Sequence, residues 1–229
     1  VGVEKAGATY TFDFHLLERW IDLCIEKGIK YIEISHLFTQ WGAKYAPKVI
    51  VSENGVQKRM FGWDTPAVGG EYQRFLEQFL PALKAFLREK GVFEHTYFHI
   101  SDEPHREEKE TYAAAKNSVR ELLSDCKVID ALSSYELYEE GIVERPVVCN
   151  DEIQTFIDAG VENLWTYYCC VQGKGVSNRF LAIPPERIRI LGVQLYLYQI
   201  EGFLHWGFNF YNSQYSLRPV NPYLITDAD

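Results

Sequence analysis

Basic runs are missing from this sequence. Its 32 Asp and Glu outnumber 23 Lys and Arg, for a net charge of −9, which disfavours a polyanionic partner such as nucleic acid. No apolar run reaches the length of a membrane span. The five cysteines are an odd number with no Cys-x-x-Cys, and the adjacent Cys169 and Cys170 lack zinc-like spacing. Cys24, Cys149, Cys169 and Cys170 sit in apolar segments, where a free thiol behaves as a small hydrophobe. They are read as reduced structural thiols, a lean towards a cytoplasmic, reducing compartment that leaves secretion open. No signal peptide stands at Val1, which decides little about export. No glycine-rich phosphate loop follows any expected strand, which disfavours a nucleotide-binding Rossmann sheet. His36 is too far in sequence from the acids discussed below for spacing to imply a metal; no metal or cofactor is expected.

What is present is aromatic. Phe, Tyr and Trp make up 15% of the residues, within a hydrophobic total of 47%. That is ample for a core and excludes general disorder. An aromatic excess fits either a thick core or a sugar-binding cleft.

Helical and strand patterns alternate along the chain. Helices are expected over Phe12 to Lys27, Glu71 to Glu89, Glu107 to Asp125, Tyr135 to Glu140, Asp151 to Ala159 and Pro184 to Gln199. Six strands are expected: Lys30 to Phe38, Thr96 to Ile100, Lys127 to Leu132, Pro146 to Asn150, Asn163 to Cys170 and Gly202 to Phe210. Thr39 to Gly70 reads as a long irregular stretch, of the kind that is usually functional or mobile. Alternation at this spacing implies parallel strands with crossover helices. The fold class expected is α/β, a (β/α)8 TIM-type barrel that is incomplete here and supplies strands 3 to 8. Residues 1–229 then form a single catalytic barrel domain truncated at both ends.

The chain turns on Ser101-Asp-Glu-Pro104, two adjacent carboxylates after an apolar strand and before a charged helical segment. Strand ends of this kind carry the chemistry in α/β barrels. Adjacent carboxylates repel, so one of them tends to hold its proton and can serve as an acid beside an ionised neighbour. The plainer reading makes Asp102 a helix cap and Glu103 a first-turn acid favoured by the helix dipole.

The other expected strand ends offer His36 and Trp41, Ser133 to Tyr135, Asn150 and Asp151, Trp165 to Tyr168, and Trp206, Asn209 and Tyr211. Such a rim suits a neutral polyhydroxylated ligand, with rings on sugar faces and amides on their edges. The candidate substrate contacts are His36, Trp63, Tyr135, Trp165, Tyr167, Trp206 and Asn209. The bland alternatives are a satisfied helper for His36 and filling of the barrel layers for Trp165 and Trp206. A retaining glycosidase of the common type needs a second carboxylate as nucleophile. The expected seventh barrel strand ends Trp-Thr-Tyr-Tyr-Cys-Cys, without an acid, and Glu201 opens its strand at the opposite face. The adjacent pair can work without a protein nucleophile if a 2-acetamido group on the sugar attacks its own anomeric carbon.

Ser101-Asp-Glu-Pro104, Asn163-Leu-Trp-Thr-Tyr-Tyr-Cys-Cys170, the Arg187 to Tyr198 helix and Ile200-Glu-Gly-Phe-Leu-His-Trp-Gly-Phe-Asn209 resemble the catalytic domain of glycoside hydrolase family 123, over roughly residues 12 to 211. That family overlaps a group of bacterial domains of unknown function. The resemblance implies a retaining β-N-acetylgalactosaminidase that uses substrate assistance. It makes Asp102 the carboxylate that steadies the acetamido group and Glu103 the general acid/base. Trp165 or Tyr167 would line the acetamido pocket. Members usually carry a β-sandwich before a complete barrel, and neither is expected here. The family 20 hexosaminidases are also similar in their adjacent Asp-Glu, but their His stands four residues before the Asp, whereas His99 stands three before Asp102. Two rival readings are a non-catalytic carbohydrate-binding barrel and a glycosidase with a conventional nucleophile, Asp151 or Asp130. The expected partner is a carbohydrate, with self-association through open barrel edges.

Overall fold

A computed structural model describes residues 1–180, 182–207, 211–213, 218–221 and 223–224. The chain opens on a hairpin of β1 (Gly2–Ala6) and β2 (Thr9–Asp13), then enters helix α1 (His15–Glu26) and the short β3 (Ile32–Glu33). The stretch expected to be irregular holds a second hairpin, β4 (Val49–Glu53) and β5 (Val56–Phe61). Its turn is Asn54-Gly55, with φ of +53° and +77°, the pairing that a two-residue hairpin turn of the favoured hand requires. β4 also pairs in parallel with β1, so the two hairpins form one four-stranded sheet.

From there the expected alternation holds. Helix α2 (Gly70–Glu89) leads to β6 (Thr96–Phe98), α3 (Lys109–Val119), β7 (Lys127–Val128) and β8 (Asp130–Leu132). The short α4 (Tyr135–Glu139) precedes β9 (Pro146–Cys149) and α5 (Ile153–Asp158). β10 (Trp165–Tyr167), α6 (Glu186–Arg189), α7 (Leu191–Leu197) and β11 (Gly202–Leu204) complete the order. The expected strand Gly202 to Phe210 runs beyond β11 into residues outside those described.

Strands β3, β6 and β7 pair in parallel, as do β8, β9, β10 and β11, each set in sequence order. One segment joins the two sets. At Ile129 the amide still donates to Phe98 O (2.9 Å), and one residue later Asp130 N donates to Arg145 O (3.4 Å). The strand from Lys127 to Leu132 therefore changes partner midway. Among the described residues the arrangement stays open, with β3 and β11 at its two ends.

Alternation along each strand separates two apolar faces. Phe98, Ile100, Leu132, Val148 and Leu164 join the main core with Tyr72, Phe75, Leu76, Leu80, Leu83 and Leu87 of α2. Each fully buried side chain of this size contributes about 1.5–3 kcal/mol. Ile129, Ala131, Val147, Cys149 and Tyr167 form a second cluster with Tyr97, Trp165 and Leu204. Register sorts this cluster into layers: Trp165 lies beside Val147 and Gly202, and Tyr167 beside Cys149 and Leu204. Gly202 is required by this packing, because a Cβ there would lie 2.0 Å from the Trp165 ring.

Candidate active site

The acid pair stands where β6 runs out, and its backbone is held from both sides. On one side the parallel ladder continues past β3: Leu37 N donates to His99 O (3.1 Å), Phe38 N to Ile100 O (3.0 Å) and Trp41 N to Asp102 O (2.9 Å). The Ser101 hydroxyl donates to Thr39 O at 2.7 Å. On the other side the neighbouring strand has turned away at Ile129, so the amides of Ile100 and Ser101 need another acceptor. Asp130 supplies it. Its Oδ1 accepts from Ile100 N (3.0 Å) and Ser101 N (3.2 Å), and its Oδ2 accepts from the Tyr112 hydroxyl. Asp130 is 1% exposed, with both oxygens engaged, and has no room to act as a nucleophile. Burial pushes its carboxyl up, opposed first by His99.

Asp102 and Glu103 are both half-buried. Glu103 takes φ +43°, a left-handed conformation that a residue with a Cβ rarely adopts. Its Oε1 accepts a hydrogen bond from the Tyr167 hydroxyl of β10. The Tyr167 phenol is raised far above its ordinary range by burial and by Glu103, so it stays a neutral donor. Asp102 is pushed up to about 7, first by burial and then by the charges of Glu103 and Asp130, with His99 pulling the other way. A carboxyl in that range is poised near neutral pH.

Beneath the pair lies His99, 1% exposed. Its Nε2 is 2.7 Å from Glu33 Oε1 and its Nδ1 is 3.4 Å from Asp130 Oδ1. Neither contact has the alignment of a good hydrogen bond, so both are ion-pair contacts. Burial alone lowers the basicity of the imidazole. Asp130 and Glu33 outweigh it and raise the ring to about 9.

The structure brings together Asp102, Glu103 and Tyr167. His36 lies one ring away, edge-on to His99 with centroids 5.2 Å apart. Burial and the His99 charge push it down to about 4, so it is neutral. His36 shares a cleft of about 480 Å³ with Trp63, walled by the N-terminal sheet and α2. Trp165 sits one layer below Tyr167, on the edge of Tyr97 at 4.9 Å. Tyr135 packs against Tyr138 and Phe156. Trp206 stacks on His205, and Asn209 lies outside the described residues. Asp151, just past β9, is exposed.

Volume does not locate this chemistry. A cavity of about 490 Å³ lies between α3 and residues 142–145, and one of about 730 Å³ opens beside Tyr97, Arg145, Trp165 and Glu201. Neither contains the acid pair, and neither holds adjacent carboxylates at a strand end. Among the described residues no group of three or more His, Cys, Asp and Glu could hold a metal ion, and no helix is long and apolar enough to cross a membrane.

Sequence reasoning missed the parts played by Glu33, Tyr112 and Asp130. Asp130 left one signal: a charge inside the apolar run Val128-Ile-Asp-Ala-Leu132, which a buried strand tolerates only with partners.

The family model described as "Glycoside hydrolase 123, catalytic domain" matches residues 1–227. No curated protein matches. Among solved structures, a family 123 glycoside hydrolase from Clostridium perfringens, studied for its hydrolysis of glycolipid glycans, superposes with a TM-score of 0.67 at 17% identity. The match covers 96% of this chain and 41% of that one, so this chain spans less than half of the relative's length.

Proposed function

The chain belongs to the glycoside hydrolase 123 catalytic-domain family, and from that premise we propose that it cleaves terminal β-linked 2-acetamido sugars, of the N-acetylgalactosamine type, by a retaining, substrate-assisted mechanism. One observation carries the reading. Glu103, next to Asp102 at a strand end, accepts the Tyr167 hydroxyl, while β10, the expected source of a nucleophilic acid, runs on into Tyr168, Cys169 and Cys170. The open run of parallel strands in sequence order is read as strands 3 to 8 of a (β/α)8 barrel, with the acid pair at its catalytic rim.

The steps follow from the chemistry of the two carboxyls. The acetamido carbonyl oxygen attacks the anomeric carbon as the glycosidic bond breaks, and Glu103 gives its proton to the departing oxygen. Asp102 accepts the acetamido N–H and offsets the charge of the cyclic oxazolinium. An N–H donor favours the ionised carboxyl, so substrate binding draws Asp102 below its resting value of about 7. Glu103 then takes a proton from water, which opens the ring with the anomeric configuration retained. Tyr167 holds Glu103 in the meantime.

The test is a pair of nitrophenyl β-glycosides, one with a 2-acetamido group and one with a 2-hydroxyl. The first should release nitrophenol and the second should not. Turnover of the 2-hydroxy sugar, with covalent labelling of an Asp or Glu by a 2-fluoro sugar, would hand the reaction to two protein carboxylates. Binding without release from either would leave a carbohydrate-binding protein.

A further inference from the structure

We propose that Trp41 forms the subsite for the leaving-group sugar: its indole is a fixed platform beside the acid pair, on which the second sugar of a glycan stacks. The inference rests on the glycosidase reading and deepens it, because it names what the rim recognises beyond the scissile bond.

The backbone around Trp41 is unusual. Residues 41 to 43 take φ of +56°, +99° and +55°, three left-handed residues in a row, of which only Gly42 lacks a Cβ penalty. The turn is pinned in that shape from several sides. Trp41 N donates to Asp102 O at 2.9 Å, and Ala43 N donates to Thr39 O at 3.2 Å. Thr39 is fixed in turn, since its hydroxyl accepts from Tyr45 N (3.2 Å) and its carbonyl accepts from the Ser101 hydroxyl (2.7 Å). The turn also lies against the segment that follows the acids. A Cβ on Gly42 would stand 2.7 Å from Glu108 Cβ, and Lys44 pairs with Glu108 at 3.4 Å. Ala43 and Ala46 are buried.

The side chain held there is 46% exposed. Among the described residues the Trp41 ring contacts no other ring, and its Nε1–H has no hydrogen-bond partner. Packing therefore gives no reason for a bulky residue in a conformation that Gly or Asn adopts more readily. Strain of this kind persists where the surroundings impose it, and it gathers at functional sites.

Placement assigns the side of the bond. Trp41 is fastened to Asp102 from the β3 side, while Tyr167 reaches Glu103 from β10. Tyr167 is buried in the second apolar cluster, where it can serve an enclosed terminal sugar. An exposed ring at the rim meets what leaves towards solvent. An indole offers an apolar face to the C–H face of a sugar and an N–H to one of its hydroxyls. The nearby cation, Lys44, is already paired, so the ligand expected is a neutral sugar that carries the 2-acetamido sugar on one hydroxyl.

Two comparisons on the full chain test the subsite. By calorimetry, a thio-linked disaccharide of N-acetylgalactosamine on galactose, which resists hydrolysis, should bind wild type about ten-fold more tightly than the methyl β-glycoside of N-acetylgalactosamine. Trp41→Asn should weaken the disaccharide until that difference is gone, and Trp41→Phe, which keeps a ring, should retain most of it. Trp41→Asn should melt no lower than the parent, because Asn tolerates the left-handed conformation. In turnover of the oxygen-linked counterparts, kcat/KM of Trp41→Asn should fall about ten-fold further on the disaccharide than on the methyl glycoside. Equal losses on both, no loss on either, or a wild type that binds the two alike would overturn the subsite. A clear drop in the melting temperature of Trp41→Asn would do so too, by making Trp41 a packing residue. If wild type binds the thio-sugar but cleaves neither glycoside, the glycosidase reading fails alone, and the affinity comparison still decides the subsite. A wild type that binds neither sugar overturns both.

Discussion

Glu103 holds its acid at the cost of its backbone. The left-handed conformation at φ +43° disfavours a residue with a Cβ by about 1–2 kcal/mol, and such strain gathers at functional sites. Glu103→Gln keeps that conformation and loses the proposed proton donor. Its turnover is expected to fall by roughly two to four orders of magnitude, less for a glycoside with a very good leaving group; equal loss for good and poor leaving groups would argue against the role. Glu103→Gly should be as inactive yet melt no lower than the Gln variant, which a thermal scan of the two would check. Protonation gives a second expectation. His99, raised to about 9, keeps in the native state a proton that an unfolded histidine releases near 6.5. Its contribution, roughly 3 kcal/mol at most, is complete below that value and lost as pH rises through 9. Between about 4 and 6.5 buried groups oppose each other: depressed His36 makes stability rise with pH, and raised Asp102 and Asp130 make it fall. Urea midpoints should therefore drop as pH rises from 6.5 to 9, and His99→Gln should flatten that drop. The acid pair was legible in the sequence because its residues are adjacent. The partners that set its charges come from positions 33, 99, 112 and 130, and nothing local in the sequence connects those.

At the scale of elements, the site depends on a strand that changes partners. Where Lys127 to Leu132 leaves β6 for β9, the ladder lacks acceptors, and Asp130 stands in for them. Asp130→Ala would strand two amides, a tyrosine hydroxyl and an imidazolium. A loss of about 3–5 kcal/mol is expected, read from denaturant unfolding; Asp130→Asn, which keeps an acceptor, should lose less. A small loss in the Ala variant would mean that water replaces the carboxylate there. The alternation of helix and strand was readable from apolar periodicity, because each crossover helix carries its own buried stripe. The Val49–Phe61 hairpin left one signal, Asn54-Gly55 after the β-branched run Val49-Ile-Val51, but the polar strand after it and the glycines and prolines around it masked the pattern. Register was beyond the sequence. Trp165 and Tyr167 look equivalent on one strand face, and only the pairing with β9 and β11 puts Tyr167 at Glu103 and Trp165 over Gly202.

For the whole molecule, the ends of the open sheet carry apolar surface in an ordered pattern. Near the β3 end, α1 buries Ile21 and Cys24 but leaves Leu16, Trp20 and Leu23 exposed along a second stripe. Near the β11 end, α7 exposes Val193, Tyr196 and Leu197, with Tyr196 at 87%. Both sets recur at three- and four-residue spacing, which is the pattern of a helix face that packs against something. Single exposed hydrophobes are ordinary, whereas a contiguous apolar face beside an unpaired strand edge favours association. This chain, made by itself, should therefore form dimers or larger species, with a sedimentation coefficient that rises with protein concentration. The double variant Tyr196→Lys, Leu197→Glu leaves the buried contacts of the sheet untouched. It should shift the population towards monomer while its melting temperature stays near that of the parent at low concentration. The matching change on α1, Trp20→Lys with Leu23→Glu, separates the two ends. If only the α7 variant dissociates the protein, that end is the contact; if both do, the α1 stripe of one copy meets the α7 stripe of another and chains can grow beyond two. A parent that sediments as a monomer at every concentration would show that these faces are tolerated in water, and would remove self-association from the account of this fold.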